Sequence, residues 1–597
     1  MMVARKHRPV RTGGVYIVVL GVALIVSLLG LSTLVVQRIQ NKLLTASADI
    51  RQAQLNAETA VGLALLTMKQ DSAWRTSQTN GNWFTGRGTG AGTCTVSVTD
   101  PADNSLPNNP DEPVVIQGIG YRGQAEQRVE VTVDPRRPPL SCLRSAVAAG
   151  DTIDLNSDIL RTNGLITANT MTATSALVYG SVEAISTTGS TYNGTNTTIT
   201  SDKRPTMPAW STVFDYYQSN GTEIVIGNLP TSTGNLGRNV GIENGTTDWT
   251  GTPTGIPAAD VDQSNNQNHT SGGNFSLRVR NRAAWYAGPA QNIDGFVKSG
   301  QQYYVEAWVH IPLTAIAKTF CISLYTKGSG AVDHNETLPA LANLGVWTKV
   351  SGTVTAPAWS GNLEYAFLKI AGAELTNTAD FYADDLVIQE TTTGRFIYRQ
   401  ALGPGQNPFG GTTNANGLYW INCAGNKLII ERSRIRGTLL VINPGAGSCI
   451  GPGPINWSPA AAGYPALMVK ADTADNADFS IQATNRVLSE KENSVNFNPS
   501  GVPHDDFGTD NDAYPFTTGS DIYQSQIRGL IVVQDDVTYQ NRPLIRGSVI
   551  FGDDLSGASG TLDVEYQPDS LLNPPPGFFA PYTYMRRPVS TRKTVVP

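Results

Sequence analysis

An uncharged apolar segment from Val15 to Val36 constrains this chain more than any other feature of its sequence. As a helix, its ~22 residues would span roughly 33 Å, which is enough to cross the hydrocarbon core of a bilayer. Basic residues precede it at Arg5, Lys6, Arg8 and Arg11. This bias predicts a cytoplasmic N-terminus, a single pass through the inner membrane, and a periplasmic or extracellular location for the remaining ~560 residues. A cleaved signal peptide is the alternative interpretation.

The apolar pattern continues beyond this segment at steps of three and four residues. The positions are Ile39, Leu43, Ala46, Ile50, Ala53, Ala57, Val61, Ala64 and Met68. The spacing predicts that one long transmembrane and extended helix covers residues 15–75. Because most of the apolar residues from Ala46 onwards are alanines, other helices or a small β domain could approach this side of the helix closely.

Two stretches of this region, RTGGVYIVVL at 11–20 and AQLNAETAVG at 53–62, resemble the start of PilX-type minor pilins, which are relatives of type IV pilins. The resemblance implies a basic prepilin-like leader, residues 1–14, that is cut after Gly13 or Gly14. It also implies a helix that packs in a pilus or pseudopilus core with other pilin-like subunits, and a β-rich exported head. The fifth residue after either cut is Val18 or Val19, where major pilins have glutamate.

The exported part of the sequence is rich in Gly, Pro, Thr and Asn, which is typical of short strands joined by turns. Alternating strands at Thr95–Val98 and Gln127–Val133 predict a small β domain over residues 76–139. At the other end of the chain, residues 571–597 form a Pro-rich tail.

Three Ile-Arg-Gly tripeptides each precede an apolar strand, at 435–437, 527–529 and 545–547. Gly529 and Gly547 are 18 positions apart, a period that suits one coil of a right-handed β-solenoid. We therefore predict a β-solenoid built from residues 140–229 and 398–570 and interrupted by a β-jelly-roll. The predicted fold class is mainly β, with an N-terminal pilin-like helix and a small β head. A β-sandwich is the alternative to the solenoid.

The interrupting segment, residues 239–390, contains five ordered blocks that resemble a carbohydrate-binding module of the CenC type. The blocks are Asn239–Gly245, Thr270–Val279, Gly300–Val309, Val346–Val354 and Phe381–Ile388. The resemblance implies a β-jelly-roll with a sugar-binding face, a glycan or cell-wall polysaccharide as partner, and a structural calcium ion. It also implies that Trp347 lies in the core.

A sugar site needs aromatic rings for C–H faces and polar groups for hydroxyls. Alternation along the strand from Tyr303 to His310 places Tyr304, Glu306 and Trp308 on one face. Trp285 resembles the aromatic residue that the family carries beside this strand, and Gln291 could supply an amide. These five residues form the predicted carbohydrate site. Packing of Trp285 and Trp308 inside the second sheet is the alternative.

Calcium takes about six to eight oxygen ligands, and the resemblance assigns Glu243 and Asp385 to such a site, where they would close the ends of the jelly-roll. A second acidic loop, His504–Asp512, is predicted to be a solvated turn. Two cysteine pairs, Cys94 with Cys142 and Cys423 with Cys449, are candidate disulfides. Cys321 is predicted to be a buried free thiol.

The net charge of −6 and pI near 5.5 predict no nucleic-acid partner, because an acidic chain repels phosphates. The sequence has no zinc-ligand spacing, nucleophile elbow or nucleotide-binding loop, so we expect no enzyme activity. Asp535 and Asp536 are set aside as an acid/base pair, since adjacent strand residues point to opposite faces.

We therefore expect a membrane-anchored minor pilin or pseudopilin-like protein whose exported head binds a glycan. It would act in adhesion, or in type IV pilus or type II secretion assembly. One alternative is a polysaccharide-degrading enzyme that carries a binding module. The other is a purely structural protein of the cell envelope.

Overall fold

The computed structural model describes residues 13–189, 192–313, 315–328, 332–359, 363–472, 477–493, 495–498, 521–587 and 591–596. The chain divides into two compact units, Met1–Pro138 with Ala580–Pro597, and Pro139–Phe579. Most of the predicted leader, residues 1–12, and the acidic loop 504–512 lie outside the described residues.

A continuous helix, Gly13–Gln70, opens the first unit and is followed by a short helix, Trp74–Ser77. Its large apolar side chains between Val15 and Val36 are exposed. In the part of the chain that the structure describes, this is the one helix long and apolar enough to cross a membrane. A signal sequence would have the same properties. The predicted long N-terminal helix is confirmed.

The distal half of this helix packs on an antiparallel sheet through alanine and glycine. The strands are Gly81–Gly88, Thr93–Thr99, Val114–Arg122, Ala125–Arg136, Thr583–Arg586 and Arg592–Val596. Ala53 and Ala57 of the helix are fully buried. A Cβ atom at Gly120 would lie 2.0 Å from the carbonyl oxygen of Ala53, and one at Gly118 would lie 2.3 Å from that of Ala57. Only glycine on the strand permits this contact.

Replacing Gly120 by alanine should destabilise the first unit by about 1–3 kcal/mol, because the new methyl group would overlap the Ala53 carbonyl. Thermal unfolding of the full chain measures the effect. The control is Gly62→Ala on the exposed side of the same helix, where a Cβ meets nothing within 4 Å and alanine should stabilise the helix by up to about 1 kcal/mol. Equal unfolding temperatures for the two variants would contradict the packing argument.

In the second unit, the described residues include a large sheet of parallel strands. Its first group of strands is Ser145–Ala149, Thr152–Asn156, Ile159–Thr174, Leu177–Gly189, Tyr192–Asn193, Asn196–Thr198 and Thr222–Glu223. Its second group is Arg395–Tyr398, Ala401–Leu402, Leu418–Asn422, Leu428–Glu431, Arg434–Arg436, Thr438–Ile442, Cys449–Ile450, Asn456–Ser458, Leu467–Lys470, Phe479–Ile481, Gln526–Val533, Val537–Asn541, Leu544–Phe551 and Leu555–Glu565.

These strands stack in parallel at the predicted step. Ile527 pairs with Ile545 and Gly529 with Gly547, a shift of 18 residues. Gly547 has φ +151, and a Cβ there would lie 2.0 Å from the carbonyl oxygen of Gly529, which explains why glycine recurs at this step. The apolar residues of successive coils form one buried cluster. This is the pairing expected of a β-solenoid.

Strands from residues 140–229 and from residues 398–570 belong to this one sheet. Their order within the sheet was not predicted from the sequence. Val549 pairs with Val147 and Leu555 with Ile153, so the C-terminal coils stack directly on the N-terminal ones. The helix Trp210–Asn220 then leads to Thr222–Glu223, which pairs with the strand Leu418–Asn422.

Short elements complete this part of the unit. They are the 3₁₀ turns Ser141–Arg144, Ser201–Lys203 and Ile226–Asn228, the helices Glu490–Asn493 and Asp569–Leu572, and the paired strands Leu488–Ser489 and Ile522–Tyr523. All five cysteines are free and buried. Neither candidate disulfide is formed, and Cys321 is the buried thiol that was predicted.

The interrupting segment folds as two antiparallel sheets around their own apolar cluster. The sheet that we call the Lys369 sheet contains Trp249–Thr250, Ala290–Asn292, Tyr365–Gly372, Lys318–Lys327, Val332–Glu336 and Ala340–Ala342. The other, the Trp308 sheet, contains Asp260–Ser264, Ser276–Arg280, Phe381–Glu390, Gln302–His310 and Trp347–Thr355. Each sheet packs one face on the shared core and presents the other face outward.

Candidate functional site

A polar row crosses the outer face of the Lys369 sheet. Along the strand Tyr365–Gly372, Leu368 and Ile370 belong to the core cluster, so Lys369 between them points outward. The antiparallel register places Ser323 beside Lys369, and Glu336 beside Ser323. Three strands that are distant in sequence therefore bring an amine, a hydroxyl and a carboxylate into one line.

Lys369 lies at the base of this face. Its residue is only 2% exposed, and its Nζ lies 4.6 Å from the ring centre of Tyr325 and 5.4 Å from that of Tyr286. It forms no ion pair or side-chain hydrogen bond with any residue that the structure describes. Burial lowers the pKa of Lys369 to about 8, although Cys321 and Glu336 oppose that shift. The amine therefore has little exposure and no acceptor among the described residues.

Aromatic rings and hydrogen-bonding groups surround this amine. The Tyr325 ring stacks on His334 at 5.1 Å, and Tyr286 contacts Trp285 edge-on at 5.2 Å. Glu336 Oε2 accepts from the Ser323 hydroxyl at 3.1 Å and from the Cys321 thiol at 3.2 Å. We call this surface the Lys369 face; it consists of Tyr286, Ser323, Tyr325, Glu336 and Lys369. Its rings could stack on sugar C–H faces while its polar groups bind hydroxyls.

Three of the predicted sugar-binding residues lie on the opposite sheet. The strand Gln302–His310 alternates as predicted: Tyr303, Val305, Ala307 and Val309 are fully buried, while Tyr304, Glu306 and Trp308 face outward and are half-buried. Glu306 Oε2 accepts from the Tyr304 hydroxyl at 2.5 Å and pairs with Lys349 at 2.6 Å. Trp308 stacks on His269 with ring centres 4.0 Å apart. The polar and aromatic groups on this face therefore already have partners within the chain.

Trp285 lies apart from those three residues. It is half-buried and contacts Tyr286 of the Lys369 face. The structure therefore does not bring the five predicted residues together: three lie on the Trp308 sheet, Trp285 lies in the loop before the strand Ala290–Asn292, and Gln291 lies within that strand. Lys369, Glu336 and Tyr325 were not among the predicted site residues, because their proximity depends on strand register. A lone lysine inside the apolar strand YAFLKIAG was the one local signal.

The position of Gln291 differs from the prediction that it lies in the sugar site. Its register partner is Leu368, a core residue, so it faces inward and is fully buried. Its side-chain oxygen accepts from the Arg238 backbone N–H at 2.8 Å, and its amide donates to the Arg238 carbonyl at 2.6 Å. Gln291 therefore ties two chain segments together, and both ends of its amide already have partners within the chain.

The position of Trp347 also differs from the prediction. The family resemblance placed it in the core, but it is half-exposed. It pairs in register with His310, so it lies on the outward side of the Trp308 sheet. Its ring centre lies 5.5 Å from that of His269 and 5.4 Å from that of His310.

The two predicted calcium ligands contact the same chain segment, residues 269–275. Glu243 Oε1 accepts from the backbone N–H groups of Asn274 at 2.9 Å and Phe275 at 3.1 Å. Asp385 Oδ1 accepts from the Thr270 hydroxyl at 2.6 Å, and its Oδ2 lies 2.6 Å from His269 Nδ1.

Asp384 adds a further carboxylate to this region. Its Oδ1 lies 2.9 Å from the Thr270 hydroxyl, and that single proton cannot serve both Asp384 and Asp385. Burial raises the pKa of Asp384. Nearby, Asn268 Oδ1 is buried without a hydrogen-bond partner among the described residues. Calcium prefers oxygen ligands, so these carboxylate and amide oxygens are the candidate donors for such an ion.

Comparison with known proteins places this module in context. Residues 234–370 match the family model described as a carbohydrate binding domain. Endo-1,4-beta-xylanase A of Thermotoga maritima is 29% identical over 153 residues, which are 25% of this chain and 14% of the relative. Endo-1,4-beta-xylanase A of Thermoanaerobacterium saccharolyticum is 28% identical over 162 residues, which are 27% of this chain and 13% of the relative. The chain thus spans 13–14% of the length of these relatives.

Two solved structures are similar to the same part of the chain. The CBM22-2 xylan-binding domain of Xyn10C from Paenibacillus barcinonensis is 19% identical, with a TM-score of 0.23, and the match covers 26% of this chain and 98% of that one. The C-terminal family 22 carbohydrate binding module of Xyn10B from Clostridium thermocellum is 23% identical, with a TM-score of 0.23, and covers 28% and 99%. These findings do not bear on the pilin-like resemblance, which stays a prediction. The family match identifies residues 234–370 as similar to carbohydrate binding domains.

Proposed function

We propose that this protein is a membrane-anchored glycan-binding protein whose jelly-roll binds a xylan-like polysaccharide chain on the Lys369 face. The observation that carries the proposal is the amine of Lys369, which has little exposure, lies near two tyrosine rings and has no acceptor among the described residues. The match of residues 234–370 to a carbohydrate binding domain supports it. So do the names of the relatives, which are xylanases.

Binding would combine stacking with hydrogen bonds. Tyr286 and Tyr325 would cover the C–H faces of sugar rings, and Lys369 would donate to a ring or hydroxyl oxygen. Glu336 would accept from a hydroxyl. A sugar oxygen would supply the acceptor that Lys369 lacks, so part of the energy lost in burying the amine is recovered on binding.

The long N-terminal helix would hold this module at a membrane. Several anchored copies would raise the effective concentration of weak single sites along a polysaccharide. A pilin-like role, with processing after Gly13 or Gly14 and packing among similar subunits, is the finer form of this proposal. It rests on the resemblance of residues 11–20 and 53–62 to minor pilins.

Lys369→Met should weaken binding of xylo-oligosaccharides by roughly 10- to 100-fold, because a charged hydrogen bond is lost. The same variant should be more stable than the wild type by about 1–3 kcal/mol at neutral pH. The folded-state pKa of about 8 lies below the ordinary lysine value of 10.5, so the cost of burying the charge acts fully below pH 8 and is relieved as pH rises towards 10.5. Calorimetric titration and thermal unfolding across this pH range measure both effects.

Lys349→Met is the matched control, since Lys349 pairs with Glu306 on the Trp308 sheet. It should leave binding unchanged. Loss of binding in Lys349→Met with normal binding in Lys369→Met would move the site to the Trp308 sheet and overturn the assignment.

We also propose that Glu243, Asn268, Asp384 and Asp385 hold a structural calcium ion. Calcium added to chelator-treated protein should raise the unfolding temperature of the jelly-roll by roughly 5 °C or more. Asp384→Asn should remove this increase, whereas Asp333→Asn, an exposed site in the same module, should keep it. An unfolding temperature of the wild type that does not change when calcium is added would refute the site.

Polysaccharide degradation is the second candidate function, and one observation favours it. Asp535 and Asp536 follow the strand Gln526–Val533 at a bend, so they do not alternate as strand residues. One oxygen of each lies within 4.8 Å of the other and of one from Asp553. Burial and the neighbouring aspartates raise the pKa of Asp553, a property that general acids require.

For a binding protein, we expect no release of reducing sugar when the full chain is incubated with xylan. Release by the wild type that disappears in Asp553→Asn and persists in Asp333→Asn would replace the binding proposal with an enzyme. The same assay on polygalacturonate extends the test to acidic polysaccharides.

A further inference from the structure

The jelly-roll and the solenoid share a buried junction. Tyr398, Ile429 and Cys449 of the coils belong to the apolar cluster of the jelly-roll. At this junction Lys298 Nζ lies 2.8 Å from Glu390 Oε2 and 2.8 Å from Glu431 Oε1. Although burial opposes it, Glu431 and Glu390 raise the pKa of Lys298, so its charge is retained. The two parts are therefore held by a buried ionic contact as well as by apolar packing.

A cleft of about 1060 Å³ opens beside this junction. Its wall includes an aromatic ring, four cationic side chains and an amide: Trp359, Lys427, Arg432, Arg486, Arg542 and Gln540. Trp359 is half-buried and comes from the jelly-roll, while the cations come from the coils. The volume and the mixture of ring, amide and charge are those of a site for a short oligosaccharide.

Two of these cations already have carboxylate partners. Arg486 lies 3.7 Å from Asp294, and Arg542 lies 2.7 Å from Asp563. Lys427 has no ion pair among the described residues. Counting Lys298 with Glu390 and Glu431, the cleft keeps a positive balance in a chain whose net charge is −6.

Arg432 is the most informative of the lining residues. It is 5% exposed, and its guanidinium lies 4.4 Å from the ring centre of Phe296. Its side chain makes no hydrogen bond or ion pair of 4 Å or less with any residue that the structure describes. The nearby Glu431 carboxylate is engaged by Lys298 and by the Gly453 N–H at 2.9 Å. A guanidinium has five N–H donors. Because those of Arg432 have no acceptor among the described residues, a ligand in the cleft could accept hydrogen bonds from them.

We propose that this junction cleft binds a carboxylated polysaccharide, one that contains uronic-acid units, at a site separate from the Lys369 face. A uronate carboxylate would accept from Arg432 and pair with Lys427, as planar carboxylates do with guanidinium groups. The sugar ring that carries it would stack on Trp359. Arg486 and Arg542 would attract the chain at longer range. The proposal does not depend on xylan binding by the jelly-roll.

Binding of the full chain to polygalacturonate tests this proposal. Affinity electrophoresis at low and high salt should show retardation that weakens as salt rises. Lys427→Gln should reduce the apparent affinity several-fold, and the double variant with Arg432→Gln should reduce it by at least about tenfold. The control Lys203→Gln removes the same charge from an exposed position of the same unit and should have no effect.

The results of these binding experiments distinguish the proposal from its alternatives. Lack of polygalacturonate binding by the wild type, or equal loss in Lys203→Gln and Lys427→Gln, would overturn the proposal, since the attraction would then be absent or non-specific. If the double variant unfolds, Lys427→Gln alone decides the matter, because Lys427 is partly exposed. Xylan binding that survives in Lys427→Gln and is lost in Lys369→Met would show two independent sites. Failure of the xylan experiment alone would refute only the function assigned to the Lys369 face.

Discussion

The stack of parallel strands continues past the inserted module because the chain leaves the stack and rejoins it at neighbouring positions. Arg395 donates through Nη1 to the Leu229 carbonyl at 3.0 Å, and the Phe396 N–H donates to the Pro230 carbonyl at 2.9 Å. Because the chain segments on either side of the insertion lie together, a module of about 150 residues is accommodated without breaking the parallel pairing. The strand Arg395–Tyr398 pairs with Leu428–Glu431 as if no insertion were present.

Two lysines in the second unit have different surroundings: Lys298 is partly exposed and Lys369 is buried. Lys298 is held by two carboxylates, which raise its pKa, and it joins the jelly-roll to the coils. Lys369 lies near two tyrosine rings, and burial lowers its pKa to about 8 although Glu336 opposes the shift. A charged group that is paired with carboxylates has a structural explanation within the chain. A buried charge without such a partner lowers the stability of the folded state and is a candidate for ligand binding. The same reasoning singles out Arg432 in the junction cleft.

Features set by local periodicity were predictable from the sequence. The long helix followed from its apolar stripe, and the inward and outward positions of Tyr303–His310 followed from the two-residue period of a strand. The Ile-Arg-Gly tripeptides indicated the 18-residue coil step. Predictions failed where a contact depended on register between distant strands. Gln291 faces the core because it pairs with Leu368, and Trp347 faces outward because it pairs with His310.

The sequence by itself therefore determined the membrane-length apolar helix, the strand-rich body and the similarity of one segment to carbohydrate binding domains, because each depends on the order of neighbouring residues. Only the tertiary structure decided which sheet carries the unpaired amine and that the last coils stack on the first. It also placed Asp384 and Asn268 beside the predicted calcium ligands. The reason is that backbone geometry imposes its period within a few residues, whereas the partners of a side chain come from segments whose alignment is chosen by the packing of the whole module.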